Sequence, residues 1–143
     1  MNYMDDASTF ERSFLQKARQ QHIPITGALE LLPLCNMNCD MCYVRLSRSE
    51  MKCQGQLRTV DEWILLAQQM QKAGTLFLLL TGGEPLLFPD FKTLYLELRN
   101  MGMILTVNTN GTLLGESWAD FFAEYRPRRI NITLYGADAA SYN

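Results

Sequence analysis

No long hydrophobic run occurs in this 143-residue chain. The longest unbroken aliphatic and aromatic stretch is Leu76 to Leu80, far short of the roughly twenty residues needed to span a bilayer. Basic clusters are equally scarce: beyond the short Arg126 to Arg129 stretch no lysines or arginines gather, and the net charge is -2, so the footprint of a nucleic-acid binder is missing. The N-terminal stretch MNYMDDASTFERSF is acidic and lacks an apolar core, so no secretory leader is expected. Low-complexity tracts and linkers that would announce a second domain are also lacking. What remains is ordinary globular material, 48% hydrophobic and 20% charged, enough to bury one core. Against these absences stand four cysteines. Without an export signal they point to a reducing, cytoplasmic setting, where clustered thiols more often bind metal or do chemistry than form disulfides.

The hydrophobic pattern predicts alternating elements. A helix is expected over 8–21, capped by Ser8 or Thr9 and ended by Pro24 and Gly27. A strand over 28–34 leads into the cysteines, and a polar linker covers 44–57. Thr59-Val-Asp-Glu62 is a capping-box pattern that opens a helix over 60–72, closed by Gly74. The apolar run 75–81 reads as a strand buried on both faces, as in parallel sheets. A helix over 89–101 starts at Pro89 and carries Phe91, Leu94, Leu98 and Met101 on one face. A strand over 103–109, a helix over 116–125 and a strand over 129–135 complete the pattern. The last three strands start about 27 residues apart with one helix between each pair, which implies a parallel α/β sheet with right-handed crossovers. In such sheets function collects at the C-terminal ends of strands. The loops Cys35 to Tyr43, Thr81 to Pro85, Asn108 to Gly111 and Thr133 to Gly136 all fall there.

The stretch CNMNCDMCY places Cys35, Cys39 and Cys42 within eight positions. That spacing also fits a buried helical stripe. However, Asn36, Asn38 and Asp40 lie between the thiols and Pro33 precedes them, all residues that disfavour helix. A loop presenting thiolates to one point fits better. Structural zinc takes four ligands, and Cys53, or more remotely His22, could supply the fourth. An iron–sulfur cube held by three cysteines instead leaves one iron open for a substrate or cofactor. Next in the chain, Gly82-Gly83-Glu84-Pro85 directly follows a buried strand. Its glycines allow close approach of a ligand to the main chain, its proline stiffens the turn, and Glu84 is a natural partner for a ligand ammonium.

CNMNCDMCY followed by LTGGEPLL, with VNTNGTLL and NITLYG further on, resembles the radical S-adenosylmethionine (radical SAM) superfamily over about residues 29–143. The resemblance implies a partial TIM-type barrel with about four of its six βα units present. Residues 25–143 would be the core domain and residues 1–24 an N-terminal helical extension. It implies that Cys35, Cys39 and Cys42 bind three irons of a [4Fe-4S] cluster, while the fourth iron takes the amino and carboxylate groups of S-adenosyl-L-methionine. Met41 and Tyr43 would approach the adenine. Gly82, Gly83, Glu84 and Pro85 would hold the methionine amino group, and Asn110 and Thr133 would touch the ribose or carboxylate. The implied reaction is reductive cleavage of the cofactor to a 5′-deoxyadenosyl radical that abstracts hydrogen from a substrate, with an external donor such as a flavodoxin or ferredoxin. The acidic residue common before the glycine after strand four is Tyr135 here. That variant resembles the branch with an auxiliary-cluster domain, whose members often modify peptides or proteins. No nucleic-acid or membrane partner is expected. The alternatives are a four-cysteine zinc module and a fragment that keeps the cluster without turnover.

Overall fold

The computed structural model describes residues 9–134. Elements run α1 (Thr9–Gln20), β1 (Thr26–Glu30), α2 (Arg48–Gln54), α3 (Val60–Ala73), β2 (Phe77–Thr81), α4 (Phe91–Asn100), β3 (Ile104–Thr109), α5 (Glu116–Glu124) and β4 (Arg129–Ile132), with a 3-10 turn at Pro85–Leu87. The four strands form one sheet in the order β1-β2-β3-β4, every neighbouring pair parallel. A doubly wound sheet would reverse its strand order partway. Here each strand adds beside the last, the arrangement of a barrel segment.

One sheet face meets the helices. Leu29, Leu78, Leu80, Leu105 and Val107 pack with Trp63 and Ala67 of α3 and Phe91, Leu94, Tyr95 and Leu98 of α4 in a single core. α5 joins through aromatic edges, Phe91 with Trp118 and Tyr95 with Phe121. The alternate residues Ala28, Leu79 and Thr106 instead line an open cavity of about 550 Å³ that Leu15 and Arg19 of α1 also line. The Glu11–Arg128 ion pair ties α1 to the segment before β4.

The structure redraws several expected bounds. β1 starts at Thr26 and ends at Glu30 rather than running to residue 34. Gly27 belongs to this strand, where an added side chain would displace the end of Met70 and press on Thr75. Leu31 N–H still donates to Thr81 O, but beyond it the chain serves the next loop. α4 begins at Phe91 because Glu84 and Pro85 first start the separate 3-10 turn. The expected polar linker contains α2, opened by a Ser47–Glu50 capping box and burying no residue. β4 stops at Ile132, so Thr133 follows the strand and is exposed. Ser8, Tyr135 and Gly136 lie outside the described residues.

Candidate metal and cofactor site

The register aligns Glu30 with Thr81 and Asn108 with Asn131 across the sheet. All four strands therefore leave by the same edge, and the motif-bearing loops meet there. Two of these loops share a stem. Gly83 N–H donates to Leu32 O at 2.8 Å and Glu84 N–H to Leu34 O at 2.9 Å, zipping the glycine turn onto the segment that leads to Cys35. This contact explains both glycines. A Cβ on Gly82 would stand 2.5 Å from Leu32 O, and one on Gly83 would overlap Leu34 O and lie 2.9 Å from Pro33 O. Gly82 also has φ of +143°, a conformation side chains resist. The close approach anticipated from the sequence is therefore made, in the first instance, by the chain's own backbone.

Glu84 is fully buried. Its Oε1 accepts from Leu86 N–H at 3.0 Å and from the Thr109 hydroxyl at 2.8 Å, and its Oε2 accepts from Asn110 N–H at 2.8 Å. The carboxylate expected to face a ligand ammonium thus points into the protein, where it caps the 3-10 turn and fastens it to the end of β3. Its oxygens are better satisfied there, because burial without donors would be costly. Pro85 and Leu86 are buried behind it.

The cysteine loop is built differently. Leu46 N–H donates to Pro33 O at 3.1 Å, closing the base of a lariat that contains all three thiols. Cys35 Sγ accepts from Met37 N–H at 3.4 Å and from Asn110 Nδ2 at 3.5 Å. Cys42 Sγ accepts from Arg45 N–H at 3.3 Å. Cys39 contributes its carbonyl to a turn with Cys42 N–H. All four cysteines are free. Among the described residues no three histidine, cysteine or acidic side chains already converge on a metal-sized point. The donor set nevertheless fits an iron–sulfur group: soft thiolates in one short loop anchored at its base, two of them already accepting N–H bonds of the kind that support ligating sulfur. The candidate fourth ligands stand elsewhere. Cys53 is exposed on α2, and His22 follows α1 at the opposite, N-terminal edge of the sheet.

Met41 and Tyr43 project from the loop into solvent. Asn110 is drawn inward to Cys35. The sequence reading missed Asn36, Thr109 and Thr112, which complete the network. Thr112 has a legible signal, since Asn110-Gly111-Thr112 is an Asx-turn pattern, and Thr112 N–H bonds Asn110 Oδ1 at 2.9 Å; Asn36 joins from more than seventy residues away and leaves no local signal. Gly111 takes the positive φ that this turn requires.

Comparison with known proteins bears on the same residues. The family model described as the Radical SAM superfamily matches residues 29–141. The chain is 27% identical over 109 residues to a probable GTP 3',8-cyclase of Pyrobaculum aerophilum, covering 76% of this chain and 34% of that protein. It is 26% identical over 117 residues to the sporulation killing factor maturation protein SkfB of Bacillus subtilis, covering 82% and 28%. Identity with the AdoMet-dependent heme synthase of Methanosarcina barkeri is 30% over 116 residues, covering 81% and 32%. Among solved structures, Streptococcus suis SuiB bound to its precursor peptide SuiA shares the fold with a TM-score of 0.68 at 19% identity, covering 99% of this chain and 34% of that one. The chain thus spans about a third of the length of the curated relatives it matches. Among the described residues no helix is long and apolar enough to cross a membrane.

Proposed function

The chain belongs to the radical SAM superfamily, and on that premise we propose that it forms the cofactor-binding part of an enzyme that cleaves S-adenosyl-L-methionine reductively. Cys35, Cys39 and Cys42 hold a [4Fe-4S] cluster, and the rim of Gly82 to Pro85 receives the methionine end of the cofactor. When bound, these groups supply a one-electron cleavage to methionine and a 5′-deoxyadenosyl radical that takes hydrogen from the substrate.

The chain's own residues do the positioning. Glu84, held by three donors, fixes the turn, so the main chain of Gly82 and Gly83 offers the contacts to the ligand ammonium and the Glu84 side chain holds that main chain in place. Met41 and Tyr43, exposed beside Cys42, supply apolar surface to cover the adenine. Thr133 stands just past β4 at the same edge, within the set of residues that receives the ribose or carboxylate. Residues 25–143 serve as the core and 1–24 as an extension. An external flavodoxin- or ferredoxin-type donor supplies the electron, in a reducing cytoplasm that keeps the thiols free. A peptide or protein is the substrate class we assign, suggested by Tyr135 and by likeness to a maturation protein.

The observation that carries this reading is the shared stem: the glycine turn and the cysteine loop are hydrogen-bonded together at one sheet edge. Anaerobic reconstitution with iron and sulfide tests it. The expected result is a brown protein whose spectrum changes when S-adenosyl-L-methionine is added and which releases 5′-deoxyadenosine with dithionite. A colourless protein that holds one zinc, and loses it on Cys53→Ala, would overturn it in favour of the four-cysteine module.

A further inference from the structure

Asn110, Asn36 and Thr112 form a closed ring of side-chain hydrogen bonds. Asn110 Nδ2 donates to Asn36 Oδ1 at 2.9 Å, Asn36 Nδ2 donates to the Thr112 hydroxyl at 2.7 Å, and that hydroxyl donates to Asn110 Oδ1 at 2.6 Å. An amide nitrogen carries two hydrogens. The Asn110 amide nitrogen also lies 3.5 Å from Cys35 Sγ, within reach of its second hydrogen. The Asn110 backbone N–H, meanwhile, donates to Glu84 Oε2 at 2.8 Å. One residue at the end of β3 therefore touches both motif loops, the glycine turn through its main chain and the first cysteine through its side chain. The two partners lie 75 and 26 residues away in sequence.

We propose that Asn110 is a positioning residue that orients the Cys35 thiolate and sets the reduction potential of the group bound there. The inference rests on the cluster-binding reading above and adds a task that reading does not contain. Both polar atoms of the Asn110 side chain are already engaged within the protein, which favours this task over direct contact with the ribose or carboxylate. The physical argument is electrostatic. Reduction adds negative charge that is shared by the ligating sulfurs, and an N–H dipole aimed at Cys35 Sγ stabilises the reduced form. Hydrogen bonds to the sulfurs are among the levers that set such potentials. The ring holds the donor in place: Asn110 cannot swing away without breaking its bonds to Asn36 and Thr112. Because the same residue fastens Glu84, a displacement of the glycine turn is transmitted to the cysteine.

Two measurements on the full chain test this. In reconstituted protein, Asn110→Ala should keep its iron, since all three thiols remain, yet show a midpoint potential shifted downward and an altered electron paramagnetic resonance signal in the reduced state. Asn110→Asp, which replaces the donor by a carboxylate oxygen, should shift the potential further down. If iron content or melting temperature falls while the loaded fraction keeps the wild-type potential, Asn110 is merely structural and the inference is overturned. In metal-free protein, the Asn110 side-chain amide resonances should move on Cys35→Ala and stay put on Cys53→Ala. Amide signals indifferent to Cys35 overturn the inference whether or not a cluster ever binds. Failure of the wild-type chain to take up a cluster would instead count against the proposed function, leaving the amide shift to decide the contact.

Discussion

The glycine turn and the cysteine loop lie side by side and are built in opposite ways. The turn is finished without a ligand: Glu84, Pro85 and Leu86 are buried, and every carboxylate oxygen has a donor. The cysteine loop is tied at its base and by a few N–H bonds to sulfur, and it leaves Met41 70% and Tyr43 91% exposed. Large apolar side chains held in water contribute nothing to folding. The difference separates two sources of order. The turn derives its order from the core, so it can present backbone to a ligand at fixed geometry. Under the proposed function the loop would take its remaining order from a bound metal group, because a metal that gathers dispersed ligands contributes its binding energy to organising them.

Removing the turn's anchor should have the largest effect. Glu84→Ala strands the N–H groups of Leu86 and Asn110 and the Thr109 hydroxyl around a cavity. Each unsatisfied buried donor costs about 1–3 kcal/mol, and partial relaxation makes a total of about 4 kcal/mol reasonable. Metal-free thermal denaturation should show it as a drop of roughly 12 °C. A melting point close to that of the wild type would mean the turn is not the preformed half of the site.

Gly83→Ala follows. Its new methyl would overlap Leu34 O and meet Pro33 O at 2.9 Å, both backbone atoms that cannot rotate aside. Overpacking of this kind costs about 3 kcal/mol, and it should also weaken iron uptake, because the stem under Cys35 has to shift. Gly115→Ala, where no atom lies within 4 Å of the added carbon, is the steric control; because Gly115 is the N-cap of α5, it should cost about 0.5–1 kcal/mol, well below the loss at Gly83. Equal losses at the two glycines would break the argument for a shared stem.

On the loop side the expectation reverses. Tyr43→Ala should leave the metal-free melting point within about 0.5 kcal/mol of wild type, as exposed substitutions do. In the reconstituted protein it should weaken S-adenosyl-L-methionine binding about tenfold, the equivalent of roughly 1.4 kcal/mol of apolar contact. Equilibrium titration monitored by absorbance reads the second effect. A stability loss without an affinity loss would show that Tyr43 packs in the protein rather than on the ligand.

Sequence reading handled these two regions unequally for the same physical reason. The parallel sheet was legible because Leu76 to Leu80 is apolar throughout and the helices repeat between strands at a regular spacing. The grouping of the three cysteines in one loop is legible because thiol spacing is local. The glycine pair signals close approach to the main chain, but the partner the structure shows, the Leu32 to Leu34 backbone, is some fifty residues away and leaves no local trace. The inward bonding of Glu84 is hidden from the sequence for a similar cause. Nothing near it in sequence announces Thr109 and Asn110, which meet it only when β2 and β3 pair. α2 is the opposite case: its Ser47–Glu50 cap is the same pattern as Thr59–Glu62, but no apolar face accompanied it, so the segment read as linker.

Those twin caps extend the comparison to pH. In α2, Ser47 N–H donates to Glu50 Oε2 at 2.8 Å and Glu50 N–H to Ser47 Oγ at 3.3 Å. In α3, Thr59 N–H donates to Glu62 Oε2 at 2.7 Å and Glu62 N–H to Thr59 Oγ1 at 3.3 Å. The side-chain bond with Ser47 and then its backbone N–H hold the Glu50 carboxyl below its ordinary value of 4.5. The backbone N–H of Thr59 and then its hydroxyl do the same for Glu62. A lowered carboxyl pKa in the folded state stabilises above the unfolded value and loses that contribution as pH falls through the folded one. Both caps therefore hold at neutral pH and are lost only as pH falls below the ordinary carboxyl range and through the lowered folded-state values. The consequences differ because Trp63 and Ala67 anchor α3 in the core while α2 buries nothing. Amide exchange followed from pH 7 downward should show α2 fraying first, with Met51 N–H, bonded to Ser47 O, among the earliest to lose protection, while α3 persists. Glu50→Gln keeps an acceptor for the Ser47 N–H but cannot titrate, so it should abolish the acid dependence of α2 and leave α3 unchanged. If both helices lose protection together in the wild type, burial is not what distinguishes the cysteine side of the molecule from the turn side.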